Sequence, residues 1–397
     1  MNENGKDEDR SNIRNKLFAF KGLTLVGSAD IIGAIITGIF WLSIASLIEV
    51  KEYGELHYFI GIAGLAYVIT LIGTQNTVTV YSAKKINVIS ILFFLSILAS
   101  AAAALIVFII FNKLDVSLLL IAYVVNEMSV GYLLGKKLFT NYSKYILTQR
   151  TLTFILGFGF YFIFGVEGII FALVLSYVHF LFLVYKGLKN SSINFSALKT
   201  HSGFIINNYV MSMIGGFRGN LDKIIIAPLL GFILLGNYAL ALQFYVILMI
   251  IPQVVFKYTL SHDASGIPTT KVKFWTFLFA IGTCITTIVL SPHLIPLFFE
   301  KFVDVVIAIQ ILSIGVIPGT AVLFYISKFL GLEKSKSPLI GLVIQVAIVI
   351  LGIVILGPMY EIVGISISYV LASLGNFTFL FFANRLLTSL NPKEKIY

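Results

Sequence analysis

The 397-residue chain is 58% hydrophobic and 12% charged, with a net charge of +10, whereas ordinary soluble domains run near 45–50% and about 25%. That composition excludes a soluble globular protein and makes this a polytopic membrane protein, because open sheets leave unsatisfied edges in lipid. A single cysteine, Cys284, in an apolar run excludes a disulfide framework and a cysteine metal site, and gives that residue a packing role.

A bilayer core of about 30 Å takes roughly 20 apolar residues per helix, so the length allows about a dozen helices and almost no soluble domain. The polar stretch 1–19 reads as a cytoplasmic tail at the membrane surface. It is not a cleavable signal peptide, since the apolar run that follows is too long and is interrupted by Asp30. Helices are expected over 20–47, 56–80, 87–111, 116–136, 146–164 and 167–186, then 203–227, 236–257, 273–292, 303–329, 338–357 and 361–386. A polar linker, 187–202, divides them into an N-lobe, 20–186, and a C-lobe, 203–386, and residues 387–397 form a second cytoplasmic tail.

Basic residues collect on alternate connections. With a cytoplasmic N-terminus, only Lys51, Lys113, Arg218, Lys223 and Lys301 of the 28 basic residues fall toward the far side. This follows the positive-inside rule and puts both termini in the cytoplasm. It also accounts for the basic charge without nucleic acid.

The two halves resemble each other. Ile44-Ala45-Ser46-Leu47-Ile48 with Gly54 matches Ile226-Ala227-Pro228-Leu229-Leu230 with Gly236, at an offset of 182. The same offset pairs Gly33 with Gly215, Thr37 with Gly219 and Asp30 with Ser212. Because each half holds an even number of helices, the copies share an orientation. The expected architecture is therefore a parallel 6+6 repeat of two lobes around a central cavity.

Charged residues inside apolar helices are the candidate functional groups, since each is expensive in hydrocarbon. Asn208, Met211, Gly215, Arg218 and Asp222 recur at steps of three or four and share a helix face. Either Arg218 and Asp222 pair one turn apart, or Arg218 lines the cleft and attracts phosphate, for which its planar fork is suited. Lys223 points elsewhere and reads as snorkelling to the interface. Asp30 has no in-helix partner, so it either takes up protons or pairs with a neighbouring helix. Glu127, beside Asn126 in the fourth helix, is a second candidate for H+ or Na+ coupling or an interhelical bond. His179 reads as a packed hydrogen-bond donor, and Gln345 and Asn376 as interhelical glue. Lys21 and Arg150, at inner helix ends, either report orientation or receive an anionic headgroup. The stretch Gly131 to Lys137 has the wrong spacing for a P-loop, and HExxH and GxSxG are absent, so neither an ATPase nor an enzyme is expected.

Three stretches carry a family resemblance: LIEVKEYGELHYFIGIAGLAYVITLIGTQNTVTVYSAKK, LDKIIIAPLLGFILLGNYALA, and PLFFEKFVDVVIAIQIL with the segments after it. They resemble the polysaccharide and O-antigen flippases of the MOP (multidrug, oligosaccharidyl-lipid, polysaccharide) superfamily over residues 20–386. The motifs are soft glycine and apolar patterns. The resemblance implies a twelve-helix, MATE-like V-shaped transporter in the cytoplasmic membrane that carries a polyprenyl-diphosphate-linked oligosaccharide outward. It implies no cofactor beyond a coupling ion, a monomer among membrane lipids, and polysaccharide polymerases and other biosynthesis proteins as partners. On that reading Arg218, Lys21, Arg150, Asn208 and Asp222 meet substrate, and Asp30, Glu127 and Asn126 serve coupling. A multidrug cation antiporter of the same superfamily, or a membrane-embedded glycosyl or acyl transferase, are the alternatives; the first would need an acidic cavity, the second a sizeable outer loop.

Overall fold

The computed structural model describes the backbone over residues 3–189, 195–264, 268–302, 304–332 and 334–390, and side chains from Thr24 on, except at 190–197, 261, 264–267, 303, 333 and 388–397. Among the described residues there is no strand. The first half forms α1 (Glu3–Leu47), α2 (Val50–Thr70), α3 (Gln75–Ala83), α4 (Ile89–Phe111), α5 (Leu114–Gly135), α6 (Phe139–Phe164), α7 (Glu167–Ser176), α8 (Leu181–Lys189) and the short α9 (Phe195–Thr200). The second half forms α10 (Ser202–Leu230), α11 (Phe232–Leu248), α12 (Ile250–Ala264), α13 (Thr270–Phe298), α14 (Val305–Ile314), α15 (Val316–Gly331) and α16 (Lys336–Leu390).

Among the described residues eight helices are long and apolar enough to cross a membrane, and the bent pairs α2/α3 and α11/α12, each counted as one span, raise this to ten. α16 contains two spans, because Glu361 breaks it with φ 49° and ψ −128°. α10, the charged helix, is not among these candidates. With α16 counted twice and α10 added, the total equals the expected twelve.

Their boundaries differ from expectation where side chains substitute for the helical ladder. The second span is not continuous over 56–80. It bends by 43° between α2 and α3, where the Gly73 amide donates to Ser96 Oγ at 2.8 Å and Thr74 Oγ1 caps α3 by accepting from the Thr77 amide. α13 continues past its expected end through Pro292 and Pro296. Proline at 292 removes the amide that would bond the Ile288 carbonyl, and Gln310 Nε2 on α14 donates to that carbonyl instead, at 3.0 Å.

The chain packs as two compact units. One holds the residues up to Thr37 and Ile69–Val210; the other holds Gly38–Val68 and the residues from Met211 on. Packing thus groups the end of α1 and most of α2 with the second half of the sequence, a regrouping that the linker at 187–202 does not announce.

In the first unit, small and hydroxylated residues let helices approach closely. A Cβ on Gly131 would lie 2.6 Å from the Gln75 carbonyl oxygen, and Thr79 Oγ1 donates to the Gly131 carbonyl at 3.2 Å. Ser90 Oγ ties α4 to the Gly187 carbonyl at 2.9 Å, and Gln149, Thr153 and Ser176 form a buried cluster between α6 and α7. Such contacts stand in for the hydrophobic drive that lipid abolishes between helices.

The second unit contains the sequence repeat in physical form. A Cβ on Gly54 would strike the Phe232 carbonyl, and one on Gly236 would strike the Val50 carbonyl. Val50 with Phe232, and Gly54 with Gly236, are the pairs related by the 182-residue offset, so this crossing is symmetric under exchange of the halves. A Cβ on Gly38 would lie 3.5 Å from Ile247, while its counterpart Asn220 fills the space above Gly64. Cys284 is buried, with Ser313 Oγ 3.8 Å from its sulfur. Outward faces are apolar, as at Ile109 (71% exposed) and Phe162 (73% exposed), which fits a hydrocarbon surround.

Candidate functional site

Arg218 lines a cavity of about 320 Å³ in the second unit, built by α10, α11, α12, α15 and α16. Lys257 on α12 adds a second cation, and Gln253, Gln345, Ser373 and Tyr245 supply polar groups; no carboxylate is among the lining residues. The amides are held in place: Asn376 Nδ2 donates to Gln345 Oε1 at 3.0 Å, and Gln345 Nε2 donates to Ser373 Oγ at 3.5 Å. Tyr245 rests edge-on against Tyr369, with ring centroids 5.1 Å apart. Among the described residues Arg218 makes no hydrogen bond or ion pair. Its fork of donors is therefore available to an occupant of the cavity.

The in-helix pair of Arg218 with Asp222 is not formed. Asp222 is 3% exposed; its Oδ2 accepts from the Tyr238 hydroxyl at 2.9 Å, and its Oδ1 lies 3.7 Å from Lys223 Nζ. Tyrosine 238 on α11 satisfies the carboxylate from the neighbouring helix, which leaves the arginine unpaired. Lys223 does not snorkel either: it folds back and donates to the Gly219 carbonyl at 2.7 Å. Asn208 likewise returns its side chain to its own helix, donating to the Phe204 carbonyl at 3.0 Å.

The first unit assembles the other charged candidates. Asp30 on α1 accepts a hydrogen bond from Tyr142 on α6 at 2.6 Å. The same tyrosine hydroxyl lies within electrostatic reach of Arg150 and Glu127, and so does that of Tyr177. Gly33, one turn after Asp30, makes room for Arg150, whose Cγ lies 3.1 Å from where a Cβ would stand. Two carboxylates, one guanidinium and two phenols thus share one neighbourhood drawn from α1, α5, α6 and the end of α7. Asn126 lies on the same turn of α5 as Glu127 and is half-buried. The side chain of Lys21 lies outside the described residues. His179 is packed against Tyr145 and Phe180, its Nε2 3.1 Å from the Tyr145 carbonyl.

Tyr142, Tyr238, Gln253 and Lys257 were not singled out from sequence. The first two carried no signal, since nothing distinguishes a tyrosine that reaches a buried carboxylate from the other tyrosines of an aromatic chain. Lys257 did carry one, as a cation one turn or more from the nearest loop, but it was absorbed into the positive-inside count. A third ionic group lies beyond the spans, at the end of α12. Asp263 accepts from Thr269 at 2.7 Å and from Lys273 and Ser327 at 2.6 Å each. Burial opposes its charge, yet these donors outweigh burial and hold its carboxyl below the usual carboxylate range.

No protein-family model matches the chain, and no curated protein matches it. Solved structures do. An inward-facing multidrug resistance MATE family transporter of the MOP superfamily aligns with a TM-score of 0.67 at 15% identity, over 94% of this chain and 96% of that one. Its outward-facing conformation gives 0.64 at 17% identity, over 94% and 97%. The lipid II flippase MurJ, in an inward closed conformation, gives 0.58 at 14% identity, over 94% and 87%. Nearly the whole chain therefore has the multi-pass helical fold seen in these MOP-superfamily transporters.

Proposed function

We propose that this protein is a flippase that carries a polyprenyl-diphosphate-linked oligosaccharide across the cytoplasmic membrane by alternating access. The observation that carries the reading is the lining of the Arg218 cavity, which offers two cations, four amide or hydroxyl side chains and no acid. A cationic drug would meet repulsion there, whereas a diphosphate would meet charge-assisted donors, which are about twice as strong as neutral ones. Arg218 and Lys257 hold the phosphates, Gln253, Gln345 and Ser373 hydrogen-bond sugar hydroxyls, and the lipid tail stays in hydrocarbon. Asp30, Glu127 and Tyr142 take up and release H+ or Na+ as the cycle turns, with Arg150 offsetting one of the two acidic charges. Both termini lie in the cytoplasm.

Reconstituted vesicles containing a fluorescent lipid-linked oligosaccharide test this. Arg218→Ala is expected to slow translocation by roughly tenfold or more, the loss of a contact to a charged group, and to abolish complementation of a flippase-null strain while the protein still inserts. Full activity of Arg218→Ala would overturn the assignment. The multidrug reading has one observation in its favour, the acidic pair in the first unit; drug efflux that survives Arg218→Ala and is lost in Asp30→Asn would establish it instead.

A further inference from the structure

Two turns of the first unit repeat one another. α3 runs out at Tyr81-Ser82-Ala83-Lys84-Lys85-Ile86 and α5 at Leu133-Leu134-Gly135-Lys136-Lys137-Leu138. In the first, the Lys85 amide donates to the Ser82 carbonyl at 3.3 Å and the Ile86 amide to the Tyr81 carbonyl at 3.0 Å. In the second, the Lys137 amide donates to the Leu134 carbonyl at 3.0 Å and the Leu138 amide to the Leu133 carbonyl at 2.9 Å. This paired closure ends a helix on a left-handed residue, ordinarily glycine or asparagine. Here it is lysine both times, with φ of 55° at Lys85 and 57° at Lys137, a conformation in which a Cβ crowds the following carbonyl.

The close contact of α3 with α5 advances from Gly131 against Gln75 and Val78 to Gly135 against Thr79 and Ser82, so the two helices run parallel and end side by side. Four exposed lysines gather there. Lys136 is committed to Tyr132, donating to its hydroxyl at 2.6 Å. Among the described residues the side chains of Lys84, Lys85 and Lys137 have no hydrogen bond, ion pair or ring contact, and no Asp or Glu occurs in 75–113 or 128–166. One cation at each helix end offsets the dipole; that leaves the second, strained lysine of each turn without a structural reason, and strain of this kind collects where a ligand is held. Leu138, 40% exposed beside Lys137, sets an apolar side chain next to the cations, as suits a boundary between hydrocarbon and headgroups. We infer that this patch docks on anionic phospholipid headgroups of the leaflet that the positive-inside pattern assigns to the cytoplasm. Each such headgroup brings a phosphate to charged donors and a net negative charge that a zwitterionic lipid lacks. The docking does not require the flippase function.

The full chain in neutral detergent tests this, with phosphatidylglycerol or phosphatidylcholine titrated in and thermal unfolding as the readout. Phosphatidylglycerol is expected to raise the unfolding temperature, by binding the folded state, and phosphatidylcholine is not. Lys85→Gly combined with Lys137→Gly should unfold no earlier than the parent without added lipid, since glycine takes a positive φ freely, yet should need roughly fivefold more phosphatidylglycerol for each lysine lost. Lys85→Gln with Lys137→Gln, which keeps the side-chain bulk, should show the same lipid deficit. Lys271→Gln with Lys336→Gln, which removes two exposed cations from the second unit, should respond like the parent. An equal deficit in that control, a parent that responds alike to both lipids, or glycine variants that lose stability but keep the response overturns the inference. So does a rise with a polyprenyl diphosphate and none with phosphatidylglycerol, which would make the patch a port for substrate.

Discussion

At the level of single residues, the decisive event is a change of partner. Asp222 lies four residues after Arg218, the spacing at which opposite charges on an isolated helix attract, yet it turns to Tyr238 and Lys223. An arginine left without a carboxylate keeps its donors for the proposed occupant of the cavity, whereas a paired one would be structural. The exchange predicts that Tyr238→Phe and Asp222→Asn are coupled. Each alone should lower stability by about 1–3 kcal/mol, since each strands a buried polar group, and the double variant should lose much less than the sum. Thermal unfolding in detergent measures this, and strict additivity would mean that the pair contributes nothing. Sequence could not show the exchange, because helical periodicity places residues on one helix and says nothing about what a second helix brings to them.

Among the helical elements, legibility depended on what ends or joins them. The twelve apolar runs could be read from composition alone, since hydrocarbon imposes the same length on each. The bend at Leu71–Thr74 and the passage through Pro292 could not, for both depend on side chains from other helices, Ser96 in one case and Gln310 in the other. The Asp263 cluster joins α12, α13 and α15 in the same manner and makes a pH prediction. A carboxyl whose pKa is depressed on folding adds stability that is present above its unfolded value, near 4, and is lost as pH falls through the folded value. Asp263→Asn is therefore expected to unfold at lower temperature than the parent at pH 7, with the gap closing below about pH 4. A gap that does not begin to narrow as the pH falls below about 4 would assign the difference to packing.

For the whole molecule, the repeat and the positive-inside pattern carried most of the architecture. They yielded the shared orientation of the two halves, and the MATE and MurJ structures have a similar fold over nearly the full chain. The proposed cytoplasmic termini follow from the same pattern. With Cys284 replaced by serine, a single cysteine placed at Glu52 should react with an impermeant reagent in intact cells, and one placed near the C-terminus should react only after permeabilisation. The reverse pattern would invert every assignment of inner and outer mouth. What the pattern left open was which polar residues meet one another, and hence which cavity is cationic.

The crossing of α2 and α11 at Gly54 and Gly236 brings backbone directly against backbone, with the Val50 carbonyl over one glycine and the Phe232 carbonyl over the other. A joint of this kind has no knobs to withdraw from holes and little apolar area to wet when it separates. It resembles a pivot bearing more than a zipper: firm under compression, weak under tension, and equally loaded from either half. Because both helices belong to the second unit, the bearing ties a piece of the first half of the sequence to the second half without any side chain that must repack when the two helices shift.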